Sequence, residues 1–244
     1  MNIFLLKSAL ATYSGTGTAA TGKAKMGYLT LVRHGQANSG ATDEAGYDQL
    51  SKLGHQQSRW LGEHLDDTGH GFSRVYCGTM RRHRETAESL GSHRYGPLEQ
   101  DERLNEFPYY SLRAAYERQF GAVNPTTQTE FADLLTQLLS HWERDALDDV
   151  TESYSEFSGR VSAVMEEIAS GEGPALLVTS GGFISTAIRH TLGFELETWT
   201  QTCLATLNTS VHKWEPIAGK RQLTQFNAVP HLDRSDRLDA KTYI

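Results

Sequence analysis

The sequence predicts an α/β fold: a three-layer sandwich with a mostly parallel central sheet, helices on both faces and a helical insertion. Three observations predict it. Two short runs, GYLTLV at 27–32 and ALLVT at 175–179, are apolar along nearly their whole length, as strands covered on both faces are. Stretches of helical periodicity alternate with runs of this kind, the pattern of a parallel sheet. The long segment 107–150 is helical in pattern with no strand inside it, which marks it as an insertion rather than part of the sheet.

The elements follow in order. After the strand at 27–32, SKLGHQQSRWLGEHL at 51–65 carries Leu53, Trp60, Leu61 and Leu65 at the spacing of an amphipathic helix. A second strand is expected at 73–77 and a helix at 79–90 with Thr79 as its cap. The insertion at 107–150 is broken around Gly121–Pro125. A helix at 156–169 ends at Gly171-Glu172-Gly173-Pro174, the strand at 175–179 runs into Ser180-Gly181-Gly182, and another helix continues through His190. Strands at 205–214 and 221–227 close the domain. The expected organisation is a flexible leader over 1–25, one domain over 26–230 and a polar, peripheral tail over 231–244.

Composition narrows the function. With 244 residues, 38% hydrophobic and 22% charged, the chain can bury a sizeable core and is not a disordered polymer. A formal net charge of -7 argues against general nucleic-acid affinity, so any anion site must be a local cluster of cations on an acidic background. The two cysteines, Cys77 and Cys203, form no CxxC motif, and a reducing, cytoplasmic location is the expectation. No apolar run approaches the ~20 residues of a membrane span. The leader resembles neither a secretory signal nor a complete P-loop: GTAATGK at 17–23 is followed by Ala24, where the hydroxyl that holds Mg²⁺ would stand. Met26, just before the first strand, is the expected functional start.

Ligands of open α/β sheets bind at the carboxyl ends of the strands. Arg33, His34 and Ser180 all fall at such ends. Arg33-His34 alone reads best as a surface turn, Arg81 and Arg84 read best as a solvated basic face, and Glu106 divides evenly between a site acid and an ordinary carboxylate. His55, His64, His70, His93, His141, His190, His212 and His231 read as surface or packing histidines. Thr179-Ser180-Gly181-Gly182 is not a GxSxG elbow, because residue 178 is Val.

Several motifs in order resemble the histidine phosphatase superfamily, the group that includes the cofactor-dependent phosphoglycerate mutases. LVRHGQAN carries its Arg-His-Gly signature at Arg33, His34 and Gly35. LSKLGHQQS at 50–58 is similar to LTxxGxxQA, and YCGTMRRHRETAE at 76–88 to SxLxRAxxTA, which places the second arginine at Arg82. RLNE at 103–106 resembles the stretch ending in the catalytic acid, and LLVTSGGFI resembles VxHGGxI. Together these cover roughly 27 to 230.

The resemblance implies a phosphomonoester hydrolase with the insertion over its active site. His34 would attack phosphorus and form a phosphohistidine. Arg33 and Arg82 would clamp the phosphoryl oxygens, and Glu106 would protonate the leaving oxygen. Ser180, Gly181, Gln36 and Asn38 are further candidates for phosphate binding, and Gly35 for close approach of backbone to phosphate. The expected substrate is a phosphorylated small molecule or phosphoprotein, with no cofactor, metal, nucleic acid or membrane partner. One position departs from the pattern: Ser180 stands where the family has its second histidine, a donor to the phosphate. His83 is not expected to replace it, since neighbours on a helix point apart. A weak or inactive phospho-ligand binder and a mutase-type phosphotransferase are the alternatives. Tyr109, Tyr110, Arg113, Tyr116 and Arg118 of the insertion are candidates for a specificity pocket.

Overall fold

The computed structural model describes residues 27–38, 40–41 and 44–243. The expected leader at 1–25, its partial P-loop and the start at Met26 lie outside the described residues. In chain order the elements are β1 (Leu29–Arg33), α1 (Glu44–Tyr47), α2 (Lys52–Asp67), β2 (Arg74–Cys77), α3 (Arg81–Ser89) and β3 (Leu98–Gln100). Then come α4 (Tyr109–Phe120), α5 (Gln128–Glu143), α6 (Tyr154–Ser170), β4 (Ala175–Thr179), α7 (Gly181–Leu192), α8 (Leu196–Ala205), β5 (Val211–Ile217) and β6 (Lys220–Ala228). The strands form one sheet in the order β3-β2-β4-β1-β5-β6. The first four are mutually parallel, and β5 and β6 add an antiparallel edge.

Every residue of β1 and β4 is buried, which is why these two runs carry no polar alternation. Their side chains divide between two cores. Leu29, Leu31, Ala175 and Leu177 pack with Phe157 and Val161 of α6 and with Phe183 and Ile184 of α7. Val32, Leu176 and Val178 point the other way, onto Leu61 and Leu65 of α2 and Ala87 of α3. This period-2 split on one strand pair is what makes three layers. The pair β1/β4 is in register from Leu29↔Ala175 to Arg33↔Thr179, so residues 34 and 180 leave the sheet side by side.

Local chemistry sets most boundaries. Ser51 caps α2, accepting from the Gly54 N–H, and capping boxes start α5 (Thr127, Glu130) and α6 (Ser153, Glu156). Three expectations need correction, and one strand, β3, was not expected. Thr79 does not cap α3: the N-cap is Met80, which makes no side-chain cap bond, and the Asp48 carboxylate takes the free N–H groups of Arg81 and Arg82 at 2.9 and 3.3 Å. The strand expected from 205 begins only at Val211. Ala205 is instead the last residue of α8, whose Leu196, Trp199, Cys203 and Leu204 recur at helical spacing against the core, and 206–210 form a turn between the two elements. The edge strand β3 is only three residues long and gave no periodic signal. The segment after Pro230 is not peripheral: Leu232 and Ala240 join Leu53 and Trp60 of α2 in a small core, and the Gln57 side-chain amide donates to the Ala240 carbonyl at 2.7 Å. Among the described residues, no helix is long and apolar enough to cross a membrane.

Candidate active site

The site begins where β1 ends. His34 leaves the sheet with its backbone N–H on the Thr179 carbonyl at 2.9 Å, and its ring is buried. The His34 Nδ1 lies 2.8 Å from the Gly35 carbonyl oxygen. A carbonyl only accepts, so Nδ1 holds the ring proton and Nε2 keeps a lone pair. Burial holds the imidazole well below its ordinary range, and Arg82, Arg33 and His83 push it in the same direction. The ring is therefore neutral, the form a nucleophile needs. Gly35 is required by packing: a Cβ there would lie 2.5 Å from the Gly54 carbonyl oxygen and 2.9 Å from Ser58 Oγ, so the glycine admits the start of α2.

Two guanidinium groups flank this ring, one from β1 and one from the first turn of α3. Arg33 is 6% exposed and donates through Nη1 to the Thr206 carbonyl, while its Nε is buried without a partner. Burial lowers its pKa. Arg82 is 5% exposed; its Nη1 pairs with Asp48 at 2.9 Å, its guanidinium lies 5.4 Å from the Tyr47 ring centroid, and its Nε also lacks a partner. Among the described residues, these are two buried guanidinium groups on one cavity whose Nε donors have no partner, an arrangement that can receive an anion on an otherwise acidic protein.

Glu106 completes the group. Its Oε2 accepts from the Gly182 N–H at the start of α7, and its Oε1 from the Phe107 N–H, both at 3.0 Å. The loop carrying it is held by Arg160 of α6. That guanidinium donates to the carbonyls of Arg103, Asn105 and Glu106 at 2.8, 2.8 and 3.1 Å and is paired with Glu152. A Cβ on Gly182 would collide with Glu106 Oε1 and the Phe107 ring, so that glycine is required by close approach.

Arg33, His34, Arg82, Glu106 and Gly181 line one cavity of about 460 Å³. Its remaining wall is apolar and aromatic, built from Tyr47 and Met80 below and from Phe107, Tyr109, Tyr110, Phe131 and Leu135 of the insertion above. Among the described residues, no group of three or more His, Cys, Asp or Glu side chains is arranged to hold a metal ion.

Other candidates fall elsewhere. Gln36 accepts from Ser51 Oγ at 2.7 Å and Asn38 donates to the Gly46 carbonyl at 3.2 Å; both hold the loop after β1, and neither lines the cavity. Of the insertion residues, Tyr109 and Tyr110 line it, but Arg113 is paired with Glu117, Tyr116 donates to Gln137 at 2.5 Å and Arg118 to the Asp148 carbonyl at 3.1 Å. Ser180 is fully buried beneath the cavity. His83, contrary to expectation, lies beside it, with Nε2 2.6 Å from Ser180 Oγ and its ring centroid 5.8 Å from that of His34. A helix turns ~100° per residue, which sends Arg82 to the cavity wall and His83 underneath it. Sequence reasoning missed Asp48, Thr206, Phe131 and Leu135, which no local motif connects to the Arg-His-Gly turn.

Comparison with known proteins finds the same fold elsewhere. A mutant phosphoserine phosphatase from Entamoeba histolytica, solved with phosphoserine, superposes with a TM-score of 0.62 at 20% identity, over 85% of this chain and 100% of that one. Bacillus stearothermophilus YhfR gives 0.60 at 22% identity, over 84% and 98%. A mycobacterial glucosyl-3-phosphoglycerate phosphatase gives 0.57 at 19% identity, over 82% and 98%. At these identities the likeness establishes the fold. A comparison with curated proteins finds no match. The sequence itself matches one family across residues 29–229, and the chain belongs to the histidine phosphatase superfamily, branch 1.

Proposed function

We propose that this protein hydrolyses phosphomonoesters through a phosphohistidine on His34. The observation that carries the reading is a buried, neutral imidazole flanked by two arginines, with its Nε2 lone pair and both arginine Nε donors without a partner among the described residues. A phosphomonoester is close to a dianion at neutral pH, and Arg33 and Arg82 offset the charge on its non-bridging oxygens. His34 Nε2 attacks phosphorus in line, the bond to the ester oxygen breaks, and Glu106 delivers its proton to that oxygen. Water then attacks the phosphohistidine with Glu106 as base, releasing phosphate and restoring the ring.

The alcohol lies against the aromatic wall. Among the described residues, both cations that line the cavity are assigned to the phosphoryl group, and none remains for a second anionic group. The preferred leaving group is accordingly an uncharged aryl or apolar alcohol.

Rapid quench with a ³²P-labelled aryl phosphate is the test. An acid-labile, base-stable label that is absent from His34→Ala is the expected result. Saturable phosphate binding without label or turnover across a panel of esters would instead identify a non-catalytic phospho-ligand binder.

A further inference from the structure

The buried cluster beneath the cavity is not used by the mechanism above. We propose that His83 and Ser180 act as one hydrogen-bonding unit in which His83 aims the Ser180 hydroxyl at the phosphoryl group on His34. The proposal rests on the phosphohistidine reading and adds a residue to it.

Three observations converge. First, β1 and β4 are parallel with Arg33 opposite Thr179, so His34 and Ser180 leave the sheet side by side, and the residue after Ser180, Gly181, lines the cavity with His34. Second, the Ser180 hydroxyl is withheld from its usual use. Ser180 is the N-cap residue of α7 and makes no side-chain cap bond, whereas Ser51, Thr127 and Ser153 all cap their helices. It is instead held by His83 Nε2 at 2.6 Å, which leaves the Gly182 N–H for Glu106. Third, His83 has no other polar task. It is fully buried, its Nδ1 has no partner, and space for the ring exists because residue 78 is glycine: a Cβ there would fall on His83 Nδ1.

The tautomer follows. A proton on Nδ1 would leave a buried donor unsatisfied; a proton on Nε2 leaves only a lone pair, the less costly of the two orphans. His83 Nε2–H therefore donates to Ser180 Oγ, and the hydroxyl hydrogen remains free to donate onward. Burial, with Arg82 and Arg84 nearby, keeps the ring neutral, so it acts as a donor and not as a cation. No proton changes hands. The serine O–H bond lengthens toward a non-bridging phosphoryl oxygen and recovers when phosphate leaves.

Two sequence features that look unrelated meet here. The pattern SxLxRAxxTA has alanine after its arginine, where this chain has His83, and the pattern VxHGGxI has histidine where this chain has Ser180. An imidazole is absent at the end of β4 and present on the helix that packs against it.

The experiment is a double-mutant cycle of His83→Leu and Ser180→Ala, with turnover and inorganic phosphate binding both measured. Ser180→Ala should lower kcat about 10²-fold, the loss seen for one transition-state donor, with KM little changed. His83→Leu should lose most of the same factor, with no further loss when added to Ser180→Ala. His83→Gln, which can still donate, should recover part of it. Equal losses by His83→Leu with and without Ser180, or failure of glutamine to rescue over leucine, would overturn the proposal. If the leucine variant does not fold, Ser180→Ala with unchanged kcat overturns it equally. Wild-type protein without a phosphoenzyme overturns the underlying reading, whereas a wild-type phosphoenzyme with an unaffected His83→Leu overturns the proposal alone.

Discussion

His34 is the residue whose charge state decides the chemistry. Its buried ring is flanked by Arg82, Arg33 and His83, all of which disfavour an added proton, so the nucleophilic form persists below the ordinary histidine range. An NMR titration should accordingly find His34 taking up its proton only well below the ordinary histidine range. A His34 resonance that titrates near 6.5 would contradict the buried, cation-flanked geometry. Glu106 makes a different demand. Its value as an acid depends on how poor the leaving group is, so Glu106→Gln should reduce kcat on an alkyl phosphate by about 10²–10³-fold and far less on an activated aryl phosphate. Equal losses on both would remove Glu106 from the proton-donor role. Gly182→Ala tests the same carboxylate through space. The added methyl meets Glu106 Oε1 and the Phe107 ring, so activity should fall at least as far as in Glu106→Gln, with a lowered melting temperature.

At the scale of elements, the insertion divides into residues that hold it together and residues that face the cavity. Helices α4 and α5 contribute Tyr109, Tyr110, Phe131 and Leu135 to the wall. The polar residues Arg113, Tyr116 and Arg118 tie the insertion to itself and to the loop after α5. A wall of this composition predicts that kcat/KM for a naphthyl or phenyl phosphate exceeds that for phosphoserine by an order of magnitude or more, since ~1–3 kcal/mol of apolar contact is at stake. Phe131→Asp should narrow the ratio, and a preference for phosphoserine in the wild type would reject the apolar leaving group. The loop bearing Glu106 belongs to this scale too, because three of its carbonyls converge on Arg160. Arg160→Leu leaves those carbonyls and the Glu152 carboxylate without their donor. It should cost more activity than Arg103→Leu, whose ion pairs are more exposed.

For the whole molecule, burying neutral histidines links stability to pH. His212 and His231 are pushed down to about 3 by burial, and His34 and His83 lie well below their ordinary value for the same reason. The unfolded chain takes up protons near pH 6.5 that the folded chain refuses. Stability from these groups is thus complete above about pH 6.5 and declines as pH falls toward the folded values, by up to about 1.4 kcal/mol per pH unit for each histidine. Urea denaturation at pH 7, 6 and 5 should show this loss, and His231→Gln should reduce its slope. A stability that does not change from pH 7 to 5 would contradict burial of these rings.

What the sequence determined by itself was everything whose cause is local. Runs of apolar residues dictated β1 and β4, capping residues dictated where α2 and α6 begin, and the ordered motifs around Arg33, His34, Arg82 and Glu106 carried the resemblance to the family to which the chain belongs. Tertiary structure decided the rest, because those contacts join residues far apart in the chain. Asp48 caps α3 from another segment, Glu106 hangs on the Gly182 amide, and Phe131 and Leu135 meet the site only when the insertion folds over it. Gln36 and Asn38, one and three residues past the nucleophilic turn, are spent on the loop instead. The same physics governs the serine in the place of a histidine. Read along the chain, Ser180 is a missing imidazole; in the folded protein an imidazole 97 positions away reaches it, because α3 sets His83 against the end of β4.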